Sequence, residues 1–195
     1  RILPDLMAKL SAGYDVRIPS ETELLGDGYT VSPAENLMPE RNTSLNVGFL
    51  YDLTGRAASN LQIEVNAFYM YLQDMIRYTK GILGAQYQNF GEMRTIGVEA
   101  EVKADITPWL YGYANATFQD LRDVREHDEG SSLPNPTKGL RMPNIPYLMG
   151  NAGLEFHKEN LFGGRGQNTR LFSDLSFVEE YLYDFEMAAD QRRIP

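Results

Sequence analysis

Glu99 and Glu101 stand two residues apart in the run Thr95-Ile96-Gly97-Val98-Glu99-Ala100-Glu101-Val102-Lys103-Ala104-Asp105-Ile106. Paired carboxylates can share acid and base work on a glycosidic bond. A second charged cluster, Arg125-Glu126-His127-Asp128-Glu129-Gly130, offers carboxylates, a guanidinium and an imidazole to a metal or ligand. It lacks the alternating oxygen ligands and closing Glu of a calcium loop. His127 and His157 lie far apart in the chain, which argues against a shared metal site. Gly163-Gly164-Arg165-Gly166 lacks the Lys-Ser/Thr of a phosphate loop and reads as a turn. Ser11, Ser44 and Ser173 have neither a neighbouring His nor a nucleophile elbow. These residues point to no enzyme, no catalytic residue, no metal site and no cofactor.

The same segment says more as a structural element. Ile96, Val98, Ala100, Val102, Ala104 and Ile106 fall on one face of a period-two strand; Thr95, Gly97, Glu99, Glu101, Lys103 and Asp105 fall on the other. Strands of soluble sheets usually run about five or six residues. A tilted strand needs about nine to eleven to cross a bilayer. The alternation therefore predicts a membrane strand, with the apolar six facing lipid and Glu99, Glu101 and Lys103 facing a wet lumen.

The alternation recurs. It predicts strands over 6–17, 43–53, 60–78, 95–106, 109–121, 147–156 and 169–183. The phase of the fifth is ambiguous; Leu110, Gly112, Ala114, Ala116 and Phe118 are taken as its lipid side. The connections alternate in length. Long ones run over 18–41, 79–91 and 122–146 and beyond 183; shorter ones run over 54–59, 107–108 and around 163–166. Outer-membrane barrels show this rhythm, with long extracellular loops and short periplasmic turns. The expected fold is all-β: an antiparallel transmembrane β-barrel wall of about seven strands.

Composition agrees. An apolar fraction of 43% is ordinary, as is a mean hydropathy of -0.39, and both suit a wall whose two faces average out. Twelve Tyr and nine Phe against one Trp suit aromatic girdles; Tyr14, Tyr51, Tyr69, Tyr71, Tyr78, Tyr147 and Tyr181 are candidates. A net charge of -9 argues against nucleic acid. With no Cys, disulfides and thiolate chemistry are excluded. The chain opens Arg1-Ile2-Leu3-Pro4 with no signal peptide, so a piece of a longer protein is expected.

Four stretches resemble TonB-dependent outer-membrane receptors: Ala12–Gly28, Asn36–Gly48, Asn89–Glu101 and Arg141–Tyr147. The resemblance rests on their order and spacing across most of the chain. It implies a larger barrel, usually of 22 strands, in a Gram-negative outer membrane, with a plug domain inside. It implies uptake of a scarce nutrient, energised by the inner-membrane TonB complex acting through that plug. Ferric siderophore, haem, cobalamin and glycan all remain open as the small ligand. Residues 1–195 would be a partial barrel domain, with plug, early strands and closing strand elsewhere. The partners are then the lipid bilayer, the TonB complex and the ligand. Tyr29, Arg125, His127 and Arg141, in the long loops, are the ligand candidates. A secreted or periplasmic β-sandwich that binds carbohydrate or protein, or a smaller porin or adhesin barrel, would use the same alternation.

Overall fold

The structure is a computed structural model that describes residues 3–55, 60–81, 84–89, 91–127, 132–182 and 193–194. Seven long strands form one antiparallel sheet: β1 (Leu6–Arg17), β3 (Glu40–Asp52), β4 (Leu61–Gln73), β7 (Met93–Thr107), β8 (Leu110–Asp123), β9 (Leu148–Glu159) and β10 (Asn168–Val178). Each wall strand pairs with the next one along the chain. Their lengths run from 11 to 15 residues, enough to cross a bilayer at a tilt.

The register carries one apolar face across the whole sheet. Leu10 pairs with Val47, Val47 with Ala67, Ala67 with Val98, Val98 with Phe118 and Phe118 with Leu148. A slip of one residue at any pairing would turn that strand over. The pairing also settles the phase of β8: Leu110, Gly112, Ala114, Ala116 and Phe118 share the face of Val98. Trp109 departs from simple alternation. A bulge between Asp105 and Thr107 resets the phase, and Trp109 packs edge-on against Phe156 at 5.6 Å, on the apolar side. No second sheet covers this face among the described residues; Leu10, Phe49, Val98, Phe118 and Leu171 are all exposed. A sandwich would bury them.

Two expected elements change. The strand expected over 60–78 ends at Gln73. Asp74 takes a left-handed backbone with φ 54°, and its carboxylate is held by Arg41. The chain then turns into a hairpin, β5 (Ile76–Gly81) and β6 (Gly84–Asn89), which takes up the last residues expected of that strand and most of the connection expected over 79–91. β2 (Val31–Ser32) adds to β6 in parallel, giving a small three-stranded loop sheet. The strand expected to reach residue 183 ends at Val178, and β11 (Tyr181–Leu182) pairs instead with β12 (Arg193–Ile194). Tyr78 and Tyr181 therefore belong to loop-end elements, outside the wall strands. Residues 56–59, 128–131 and 183–192 lie outside the described residues, and with them Asp128, Glu129 and Gly130 of the charged cluster.

Candidate functional site

All the long connections leave the same end of the sheet, after Arg17, Gln73, Asp123 and Val178. Packing concentrates there. Ala34, Ile76, Ala85, Met93, Thr95, Asp123, Asn135 and Met142 are buried, and each lies in a long connection or at its junction with the wall.

The first connection is anchored twice. Ser20 and Glu23 form a capping box at the start of α1 (Glu21–Leu25). Arg17 ties Glu23, at 3.0 Å, to Glu40 at 2.5 Å, joining the ends of β1 and β3 through the helix. Beyond the helix, Asp27 accepts hydrogen bonds from the backbone N–H groups of Tyr29, Thr30 and Val31 at 2.8–2.9 Å. The Thr30 hydroxyl also donates to it at 2.6 Å. That hydroxyl, and then the three amides, hold the Asp27 carboxyl well below the usual carboxylate range. The clasp leaves Tyr29 97% exposed. Tyr29, Thr30 and Val31 line a groove of about 630 Å³ with Tyr78 and Ala85 of the loop sheet. Tyr78 meets Tyr87 edge-on at 5.5 Å. A neighbouring groove of about 410 Å³ is lined by Pro33, Asn36, Gln86, Gln88 and Asn89. The Asn89 amide exchanges two 2.8 Å hydrogen bonds with the Met38 backbone, which docks the first connection on the hairpin.

The connection after β8 is ordered by Asp123, whose side chain is fully buried. Its carboxylate accepts from the Arg125 guanidinium at 2.6 Å and from Thr137 Oγ1 at 2.7 Å. The Gly139 N–H donates to its backbone carbonyl at 2.8 Å. Arg125 lies across Gly91, whose φ is 90° and where any Cβ would collide with the arginine stem. Glu126 pairs with Lys138 at 2.6 Å, and this cation lowers the Glu126 pKa.

The four ligand candidates thus sit in different settings. Tyr29 stands free at a groove. Arg125 is 10% exposed and committed to Asp123. His127 is exposed and pairs with Pro134 through an isolated antiparallel bridge. Arg141 donates to Asp120 at 2.9 Å and lies 4.4 Å over the Tyr147 ring. The structure does not bring the four together. Sequence reasoning missed the hairpin and the Asp123 knot; the capping box was open to detection in Ser20-Glu21-Thr22-Glu23.

The polar face of the wall carries ladders. Lys9 reaches Glu64 at 3.3 Å. Glu101 pairs with Lys103, and Arg170 with Glu155 at 3.1 Å. Asn115, Asn151 and Ser176 form a hydrogen-bonded row across three strands. Glu99, Glu101 and Lys103 lie on this face; Ile96, Val98, Ala100, Val102 and Ala104 lie on the other. Ile106, in the bulge, packs over Gly112 on the apolar side. Among the described residues, no three His, Asp or Glu side chains gather where they could hold a metal ion.

No curated protein matches the chain. Among solved structures it is similar to "Copper transporter OprC", with a TM-score of 0.57 and 22% identity over 78% of this chain. At that identity the likeness carries the fold alone, and the chain spans 22% of that protein. The family described as "TonB dependent receptor-like, beta-barrel" matches residues 1–190. That match covers nearly every strand described above, and the chain belongs to the TonB-dependent receptor β-barrel family.

Proposed function

We propose that this chain forms part of the wall of an outer-membrane barrel in a Gram-negative bacterium. The whole protein would be a receptor that takes up a scarce nutrient with energy from the TonB complex, relayed through a plug. One observation carries the reading: a single apolar face runs in register across seven strands of membrane-spanning length. Lipid satisfies such a face only where every backbone group is paired, as it is inside a β-sheet. On this reading Ile96, Val98, Ala100, Val102, Ala104 and Ile106 face lipid. Glu99, Glu101 and Lys103 face the lumen and its plug.

The long-loop end is then extracellular. Cargo would meet Tyr29 and Tyr78 first, with His127 on the neighbouring connection. Arg125 and Arg141 would shape that end through Asp123 and Asp120. Binding there changes no covalent bond; the residues supply contact and hydrogen bonds only. The test is fractionation of cells that express the full-length protein. Recovery in the outer membrane after a carbonate wash is expected. Recovery as soluble protein would overturn the reading.

A further inference from the structure

Three arginines stand side by side near the loop end of the apolar face. Arg94 of β7 pairs directly with Arg122 of β8. Arg122 in turn bridges to Arg141, on the chain returning toward β9. The row continues the other way through Tyr71, Thr43 and Tyr14. Directly opposed residues in a sheet lie about 5 Å apart, and like charges there repel. Two carboxylates lie nearby. Asp120 accepts from Arg122 Nε at 2.6 Å and from Arg141 Nε at 2.9 Å. Glu92 is engaged by the Tyr71 hydroxyl at 2.6 Å. Arg94 is left over: its Nε is buried with no hydrogen-bond partner among the described residues. Among these residues three guanidiniums stand beside two carboxylates, Asp120 and Glu92, which leaves one positive charge in excess.

Position identifies the anion that would balance this charge. The row is flanked by tyrosines: Tyr71 pairs with Arg94, Tyr69 follows it two residues along the same face, and the Tyr147 ring lies 4.4 Å beneath Arg141. From Arg94 to Ala100, the middle of β7, is six residues, about 20 Å along the strand and about 15 Å of depth at a tilt of about 40°. Given the lipid-facing reading of this face, that places the guanidiniums at headgroup depth in the outer leaflet. Guanidinium forks bind phosphate oxygens with strong, directed hydrogen bonds. We infer that Arg94, Arg122 and Arg141 form a binding site for the phosphate of a membrane lipid headgroup on the outside of the wall. The inference rests on the membrane reading above.

The test uses the full-length receptor in detergent, examined by native mass spectrometry with phosphatidylglycerol, phosphatidylcholine or inorganic phosphate. Wild type should retain phosphatidylglycerol over phosphatidylcholine. The Arg94→Gln/Arg122→Gln pair should lower that retention about tenfold or more. The Arg94→Lys/Arg122→Lys pair, which keeps the charge, should fall between and guards against a folding defect. Arg165→Gln, on the opposite short turn, should change nothing. Equal retention by wild type and the glutamine pair would overturn the inference. So would inorganic phosphate binding as tightly as the lipid and with the same arginine dependence, since that marks a free-anion site. Carbonate extraction of the same proteins separates the two readings. Loss of wild type from the membrane would sink the barrel itself. Membrane recovery with arginine-independent lipid binding would sink only the site.

Discussion

The Tyr113 hydroxyl donates to Asp174 Oδ1 at 2.6 Å, although their strands are not neighbours. Tyr113 is on β8 and Asp174 on β10; Gly153 of β9 lies between them in the same row. The missing side chain is what lets the two meet. Lys9 and Glu64 do the same over β3, beside Gly48. The polar face is thus cross-linked over strands as well as between them.

Gly153→Val should break this link. A Cβ at Gly153 would sit 2.5 Å from Asp174 Oδ1 and collide with the Tyr113 ring. We expect a loss of about 1–3 kcal/mol in equilibrium unfolding of the full-length receptor. Gly112→Ala is the control. Its Cβ would crowd the ends of Ile106 and Leu154, at 3.0 and 3.1 Å, where flexible tips can move, and would meet the Gly153 carbonyl at an ordinary 3.7 Å. It should cost clearly less.

The two faces should respond oppositely to charge. Val98→Arg or Ala100→Arg should cost about 2–4 kcal/mol if these positions lie near the bilayer midplane. Glu99→Gln, on the polar face, should cost much less. Unfolding from lipid vesicles measures both, and equal effects would contradict the assignment of faces.

Asp123→Ala should loosen the connection after β8. It would remove the Asp123 carboxylate from the Arg125 guanidinium in a nearly closed site. Breaking a buried pair from one side costs about 3–5 kcal/mol. Hydrogen exchange should rise at Gly139 and Arg125, whose amides donate to Asp123. The wall amides of β3 and β4 should stay protected.

The Asp27 clasp should be acid-labile. Its pKa is lowered on folding, so the charged form stabilises the folded loop. That contribution is fully present above the ordinary value of 3.8 and is lost as pH falls through the lowered value. NMR of the Asp27 carboxyl carbon should show no titration near 3.8. Asp27→Asn keeps one acceptor but no charge, and should loosen Tyr29–Val31 at neutral pH.

The wall was legible because its signal is long and local. Twelve residues alternating without a miss from Thr95 to Ile106 leave little choice of structure. The loop end was less legible, for particular reasons. The end of β4 depends on Asp74 taking a left-handed backbone, which its residue type permits and does not require. Arg125 shows a charge in the sequence and nothing of Asp123 folded against it. The row of Arg94, Arg122 and Arg141 draws on residues from position 94 to position 141 and exists only through register. Register is a property of pairs of strands, and no single stretch displays it.

The central claim is that alternate residues of β7 face lipid. Residues 1–195 hold no Cys, so a single cysteine at each position from 96 to 106 adds one thiol to this part of the wall; with any cysteine elsewhere in the full-length receptor replaced, each can be spin-labelled. Labels at 96, 98, 100, 102 and 104 should be open to dissolved oxygen and shielded from a water-soluble nickel complex, with 97, 99, 101 and 103 lacking that signature. Uniform access to the nickel complex along the strand would contradict the account.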